Sequence, residues 1–190
     1  DKHAPTQGAF DNRNDLDLNV TSEQLRRFAW YFGPNNWTFL HRGVRFTGFF
    51  AAVAGSGLPE EDELWHFLER LPALPKARHH VVTTHYPLFI DRPDEKTYDL
   101  TDPDHYLDWY FGIDSPQRLR ILEALKASEV DIALSGHIHC RRPPQVFDGI
   151  TFYKVPATAN PQWGDRWSDG DTTRGFMRFD VSEEGIEGTF

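Results

Sequence analysis

Cysteine is nearly absent: the 190 residues hold one, Cys140. An intrachain disulfide is excluded, so the fold must rest on a packed core. A single cysteine leans the expected compartment towards a reducing, cytoplasmic one, although a missing amino-terminal part would conceal a signal peptide. Long apolar runs are also missing, and no stretch approaches the roughly 20 residues that span a bilayer. Positive charge is in deficit, with 20 Lys and Arg against 29 Asp and Glu and a formal net charge of -9. That balance argues against a protein that binds nucleic acid through a basic surface. It leaves room for an anionic substrate, because bound metal cations invert the local field. Repeats, low-complexity stretches and linkers are lacking too, so residues 1–190 read as one domain of open oligomeric state. What is there suits a core: 39% of residues are hydrophobic and 14% aromatic.

The pattern alternates between helices and strands. Residues 1–19 are polar and rich in Asn and Asp, which reads as a loop. Thr21-Ser22-Glu23-Gln24 starts a helix with Thr21 or Ser22 as its cap, and Leu25, Phe28, Ala29 and Phe32 give it one apolar side. Residues 37–40 and 44–50 read as two strands joined at Arg42-Gly43. Pro59-Glu60-Glu61-Asp62 opens a second helix with acids in its first turn. Its buried side is Leu64, Trp65, Phe67, Leu68 and Leu71, and Pro72 and Pro75 stop it. Residues 79–84 form a strand. Residues 86–115 make a long aromatic-rich segment with no clear periodicity, and Ser115-Pro116 caps a helix running through Lys126. Residues 130–134 form another strand. Strands at 145–147, 150–155, 175–181 and 186–190 are expected to complete a second sheet. This order of elements suits a layered α/β architecture.

Two of these strands end in imidazole. Val81-Val82-Thr83-Thr84 leads into His85-Tyr86-Pro87, and Asp131-Ile132-Ala133-Leu134-Ser135 leads into Gly136-His137-Ile138-His139. Apolar runs of this length read as buried strands of a mostly parallel sheet. Open α/β sheets bind ligands just past the carboxyl ends of their strands, so adjacent strands would aim three imidazoles into one crevice. Imidazole is a good ligand for Zn, Fe and similar ions.

In these motifs the chain resembles the calcineurin-like metallophosphoesterase superfamily, whose later motifs are an apolar strand ending in His and then Gly-His-x-His. Both are matched in order. Phe32-Gly33-Pro34-Asn35-Asn36-Trp37-Thr38-Phe39 and Gly43-Val44-Arg45-Phe46 resemble the stretch that precedes them, so the similarity runs from about Phe32 onward. The earlier family motifs, Asp-x-His, Gly-Asp-x-x-Asp and Gly-Asn-His-Asp/Glu, should come first. The opening Asp1-Lys2-His3 looks like a sequence cut inside the last of these. The resemblance therefore implies the carboxyl-terminal part of a longer enzyme.

The resemblance implies an α/β fold: a two-sheet sandwich flanked by helices, incomplete on its amino-terminal side. It implies phosphoester hydrolysis by a metal-bound water at a dinuclear site, with two divalent ions such as Mn, Fe or Zn. Two metals about 3.5–4 Å apart activate water and clamp the phosphoryl group in one in-line displacement. His85 and His137 would share one metal and His139 would hold the other. The remaining ligands and the proton-donating His would come from upstream, with Asp1 orienting that His. The isolated chain is therefore expected to be a poor catalyst. Two rivals stand beside this reading: a binuclear metallohydrolase acting on another bond, and a non-catalytic family member serving as a binding or scaffold module.

Other residues carry weaker signals. Arg141 is a candidate for touching substrate phosphate, although a solvated Arg141-Arg142 pair is the commoner outcome. His79 and His80 suit surface or packing roles, and His3, His41, His66 and His105 have no matching context. Gly136 is expected to supply backbone angles that a Cβ would forbid, presenting both flanking histidines. Residues 160–167 form a polar, Trp-bearing loop that either rims the site or covers the second sheet.

Overall fold

A computed structural model describes residues 20–95, 111–159 and 166–190. The first helix, α1 (Ser22–Phe32), begins with a capping box: the Thr21 hydroxyl accepts from the Gln24 backbone N–H, and the Gln24 side chain accepts from the Thr21 N–H. It ends where the Gly33 N–H reaches the Ala29 carbonyl. Of its expected apolar side only Leu25 is buried, whereas Phe28 and Phe32 are exposed. Periodicity correctly found residues sharing a side; it does not tell whether anything covers that side.

Strands β1 (Trp37–His41) and β2 (Val44–Gly48) form an antiparallel hairpin. Its turn residues Arg42 and Gly43 both have positive φ, 49° and 83°, as a tight primed turn requires. Helix α2 (Pro59–Arg70) carries Pro59 in its first turn and buries Leu64, Trp65 and Leu68. The Glu61 carboxylate accepts from the Gly55 and Gly57 backbone N–H groups and from Trp65 Nε1, tying the preceding loop to the helix. A short 3-10 turn, Leu71–Ala73, follows. Strand β3 (His79–Thr84), helix α3 (Gln117–Ala127) and strand β4 (Ile132–Ser135) come next. No side chain caps α3; the preceding residue is Pro116. Strands β5 (Arg142–Phe147), β6 (Ile150–Lys154), β7 (Arg178–Val181) and β8 (Ile186–Thr189) close the chain.

The main sheet has the order β1-β2-β3-β4-β6-β5, and β7 and β8 form a separate two-stranded sheet. Pairing is parallel through β2-β3-β4-β6 and antiparallel at both edges. This corrects the expected strand sorting: β5 and β6 extend the first sheet, and only β7 and β8 make the second. The β5-β6 turn uses Asp148 and Gly149 at positive φ, a local hairpin. Pro143 and Pro144 lack N–H groups, which confines β5 to an edge, and its register slips between Arg142 and Gln145.

Side-chain alternation along the strands builds two cores. Val82, Ala133 and Phe152 face Leu64, Leu68, Ile121 and Leu125 of α2 and α3. Val44, Val81 and Ile132 face the other way, against Phe46, Leu134 and Tyr153, with Phe179 of β7 and Ile186 of β8 covering them. The described residues thus stack helices, a six-stranded sheet and a small sheet in layers.

His80 lies near the start of β3, in a buried polar niche. Its Nδ1 is 3.0 Å from the Ser128 carbonyl, and its Nε2 is 2.8 Å from the Thr47 hydroxyl. A carbonyl only accepts, so Nδ1 carries the proton and Thr47 donates to Nε2. Burial holds this imidazole below its ordinary pKa, with Arg45 adding to the effect and the Ser128 carbonyl and Asp131 opposing it. Above the ordinary value near 6.5 the ring is neutral both folded and unfolded. Below it the unfolded chain takes the proton first, so stability declines with falling pH until the folded-state pKa is passed. Urea midpoints are expected to drop between about pH 7 and pH 5, and less steeply in His80→Gln. Equal slopes in the two proteins would remove His80 as a cause.

Candidate metal centre

The site is built where β3 and β4 end. These strands pair in parallel with Thr84 opposite Ser135, so His85 and Gly136 leave the sheet side by side. The Gly136 N–H donates to the His85 carbonyl at 3.0 Å, which locks the two turns together. Ile138 and Cys140, both with no exposed surface, anchor the turn in a small cluster with Ile90 and Phe111.

The backbone strain sits on the histidines. His137 and His139 adopt φ of 65° and 50°, the left-handed region that costs non-glycine residues about 1–3 kcal/mol each and concentrates at functional sites. Gly136 is outside that region, and an added Cβ would meet nothing closer than the His85 carbonyl at 3.9 Å. The expected role of Gly136 is therefore corrected: the special conformations belong to its neighbours.

The His85 and His137 imidazoles converge. His137 Nδ1 lies 3.3 Å from His85 Nε2, and the His137 ring packs on Tyr86 with centroids 4.0 Å apart. Burial lowers the His85 pKa, and the nearby charge of His139 lowers it further. Burial thus favours the neutral form of His85, the form that binds a metal.

These features can be compared with what a metal needs. Two nitrogens bound at about 2.0–2.1 Å on a tetrahedral ion stand about 3.3–3.4 Å apart, and the His85–His137 separation fits that edge. Neutral imidazole is the required protonation state. Among the described residues, however, no group of three or more His, Cys, Asp or Glu side chains is placed to hold an ion. The donors present fit part of a site. Asp1 lies outside the described residues, as do residues 96–110 of the long aromatic-rich segment and 160–165 of the Trp-bearing loop.

Arg141 and Arg142 do not form a solvated pair. The Arg141 guanidinium bonds the Asp171 carboxylate and lies 4.1 Å over the Phe190 ring, and that partner holds the Asp171 carboxyl well below the usual range. Arg142 is buried and donates to Asp169, Asp91 and the Ile90 carbonyl. From the other side, the fully buried Arg118 of α3 donates to the Pro93, Ile113 and Glu95 carbonyls. The Glu95 carboxylate in turn accepts from the backbone N–H groups of Ile90, Asp91 and Arg92. Two buried arginines thus pin the loop that follows His85. No sequence signal singled out Arg118, and Arg142 drew notice only as half of a surface pair.

No known family and no curated protein matches the sequence. Solved structures do. GAP50, the anchor in the inner membrane complex of Plasmodium, superposes with a TM-score of 0.54 at 17% identity, covering 80% of this chain and 47% of that one. PhoD gives a TM-score of 0.48 at 11% identity, over 78% of this chain and 36% of that one. Purple acid phosphatase PPD1 from yellow lupin gives 0.40 at 14% identity, over 76% and 28%. The chain therefore spans about half the length of GAP50, and with that part of it shares a fold.

Proposed function

We propose that the chain is the His-rich part of a calcineurin-like metallophosphoesterase, a phosphatase or phosphodiesterase that works with divalent metal ions. The observation that carries this reading is the 3.3 Å approach of His137 Nδ1 to His85 Nε2 at the ends of two parallel strands. The left-handed backbone of His137 and His139 supports it, since such strain persists only where the surroundings enforce it.

In this reading His85 and His137 hold one ion and His139 a second, with further donors from outside the described residues. The ions would supply an activated water and positive charge for the phosphoryl oxygens. The chain's own residues do the rest. The bond from Gly136 to the His85 carbonyl fixes the spacing of the two turns. Tyr86 fixes the His137 ring plane. Burial keeps His85 deprotonated and ready to bind.

A second reading, an anchoring module without catalysis, draws on what GAP50 is said to be and on the incomplete donor set among the described residues. Titration with Mn, read by the loss of the free-ion resonance signal, together with turnover of bis(p-nitrophenyl) phosphate by the full-length protein, separates the two. Hydrolysis that stops on chelation and returns with Mn is expected. Mn binding no better than that of the His85→Ala/His137→Ala protein, with no turnover, would overturn the phosphoesterase and leave the anchor.

A further inference from the structure

A cleft of about 480 Å³ opens directly beside His85, within the roughly 300–1,000 Å³ range of small-molecule sites. It lies between α1 and the ends of β2 and β3. Its walls are Leu25 and Phe28 of α1, Trp37 of β1, Phe50 after β2 and Tyr86 after His85. Among the described residues that line it, His85 alone is ionisable in the neutral range; Gln24, Asn35, two threonines, the Trp37 indole N–H and the Tyr86 hydroxyl are the polar groups. Buried Thr84 Oγ1 has no hydrogen-bond partner among the described residues.

One wall depends on a glycine. A Cβ on Gly48 would stand 2.3 Å from the Trp37 ring, closer than any packing allows. Glycine there lets the indole lie flat on the strand and form the side of the cleft.

On the phosphoesterase reading, on which this inference rests, the phosphoryl group sits at the imidazoles and one substituent of the ester must leave through a neighbouring space. We infer that this cleft receives that substituent, and that the substrate is a phosphoester of an aryl or comparably flat apolar alcohol. A second phosphate would find no cation among the described lining residues. A flat ring would find Phe28, Trp37 and Tyr86, which favour offset or edge contacts. His85 itself lines the cleft, so a ligand whose phosphate meets that imidazole would have its ring beside these walls.

Calorimetric titration of the Mn-loaded protein with phenylphosphonate, methylphosphonate and phenol tests this. Phenylphosphonate is expected to bind about tenfold or more tightly than methylphosphonate, from the burial of one ring. Phe28→Ala, whose ring is 51% exposed and whose loss should leave the fold intact, is expected to reduce that ratio about tenfold. Gly48→Ala, which displaces Trp37, should reduce it likewise. Equal affinities for the two phosphonates would overturn the aryl cleft while leaving the phosphoesterase standing. Phenol binding that the phosphonate group does not improve would keep the aryl cleft and overturn the phosphoesterase. A ratio unaltered in both variants would place the ring elsewhere and end the inference.

Discussion

Replacing His139 with glycine is expected to lower phosphodiester turnover at least about 100-fold while leaving the protein as stable or more so. The size of the catalytic loss follows from the proposed ligand role, since even residues that merely support a metal ligand cost about 10–100-fold when removed. The stability arises separately. His139 holds φ of 50°, a conformation glycine adopts without penalty, and relief of about 1 kcal/mol is expected. In a chain of this size that corresponds to roughly 2–4 °C in Tm. His139 is only partly buried. His137 is a less clean probe, being buried and packed against Tyr86. Calorimetric Tm, diester turnover and metal content measured on one preparation of the full-length protein decide the matter. A more stable protein with one fewer ion and little turnover supports the assignment. A more stable protein that keeps full turnover and full metal content would remove His139 from the site, and leave its strain without a function.

The sequence announced some parts of this structure and concealed others, for identifiable physical reasons. β3 and β4 were legible because strands covered on both faces need near-continuous apolar runs, and both runs end abruptly in histidine. The hairpin at Arg42-Gly43 and the α1 start at Thr21 were legible because turns and caps are local chemistry. Strand partners are not local. Each paired residue of β6 meets a β4 residue far back in the chain, as Thr151 meets Ile132, and nothing in its composition distinguishes that sheet from the smaller one. The Pro143-Pro144 pair did hold a readable clue, since it demands an edge position for β5. The conformation of the Gly-His-Ile-His turn was concealed in another way. Glycine draws the eye as the flexible residue, yet the left-handed positions fall on His137 and His139, in a turn held by the packing of Ile138 and Cys140 and by the Gly136 bond to His85. The pairing of Arg141 with Asp171 is equally invisible, because it joins segments 30 residues apart.

Arg118→Ala is expected to cost about 3–5 kcal/mol of stability, the usual penalty for removing one member of a buried charged network. In calorimetry this is a fall in Tm of roughly 6–20 °C. Arginines are rarely fully buried unless paired, and this one has no exposed surface. Its guanidinium donates from all three nitrogens, to the Pro93, Ile113 and Glu95 carbonyls, and stands 3.5 Å from the Glu95 carboxylate. Removing it leaves three carbonyls and a carboxylate without that partner. Lysine should not rescue, because one ammonium cannot reach three separated carbonyls from a single point. The effect should also reach the site. Glu95 gathers the backbone of Ile90, Asp91 and Arg92, in the loop that begins directly after His85. Hydrogen exchange should therefore show those amides losing protection in Arg118→Lys well before global unfolding, with α2 still protected. If Arg118→Lys melts with the wild type and keeps those amides protected, the loop is held by Arg142 from the other side, and Arg118 is a passenger in the core.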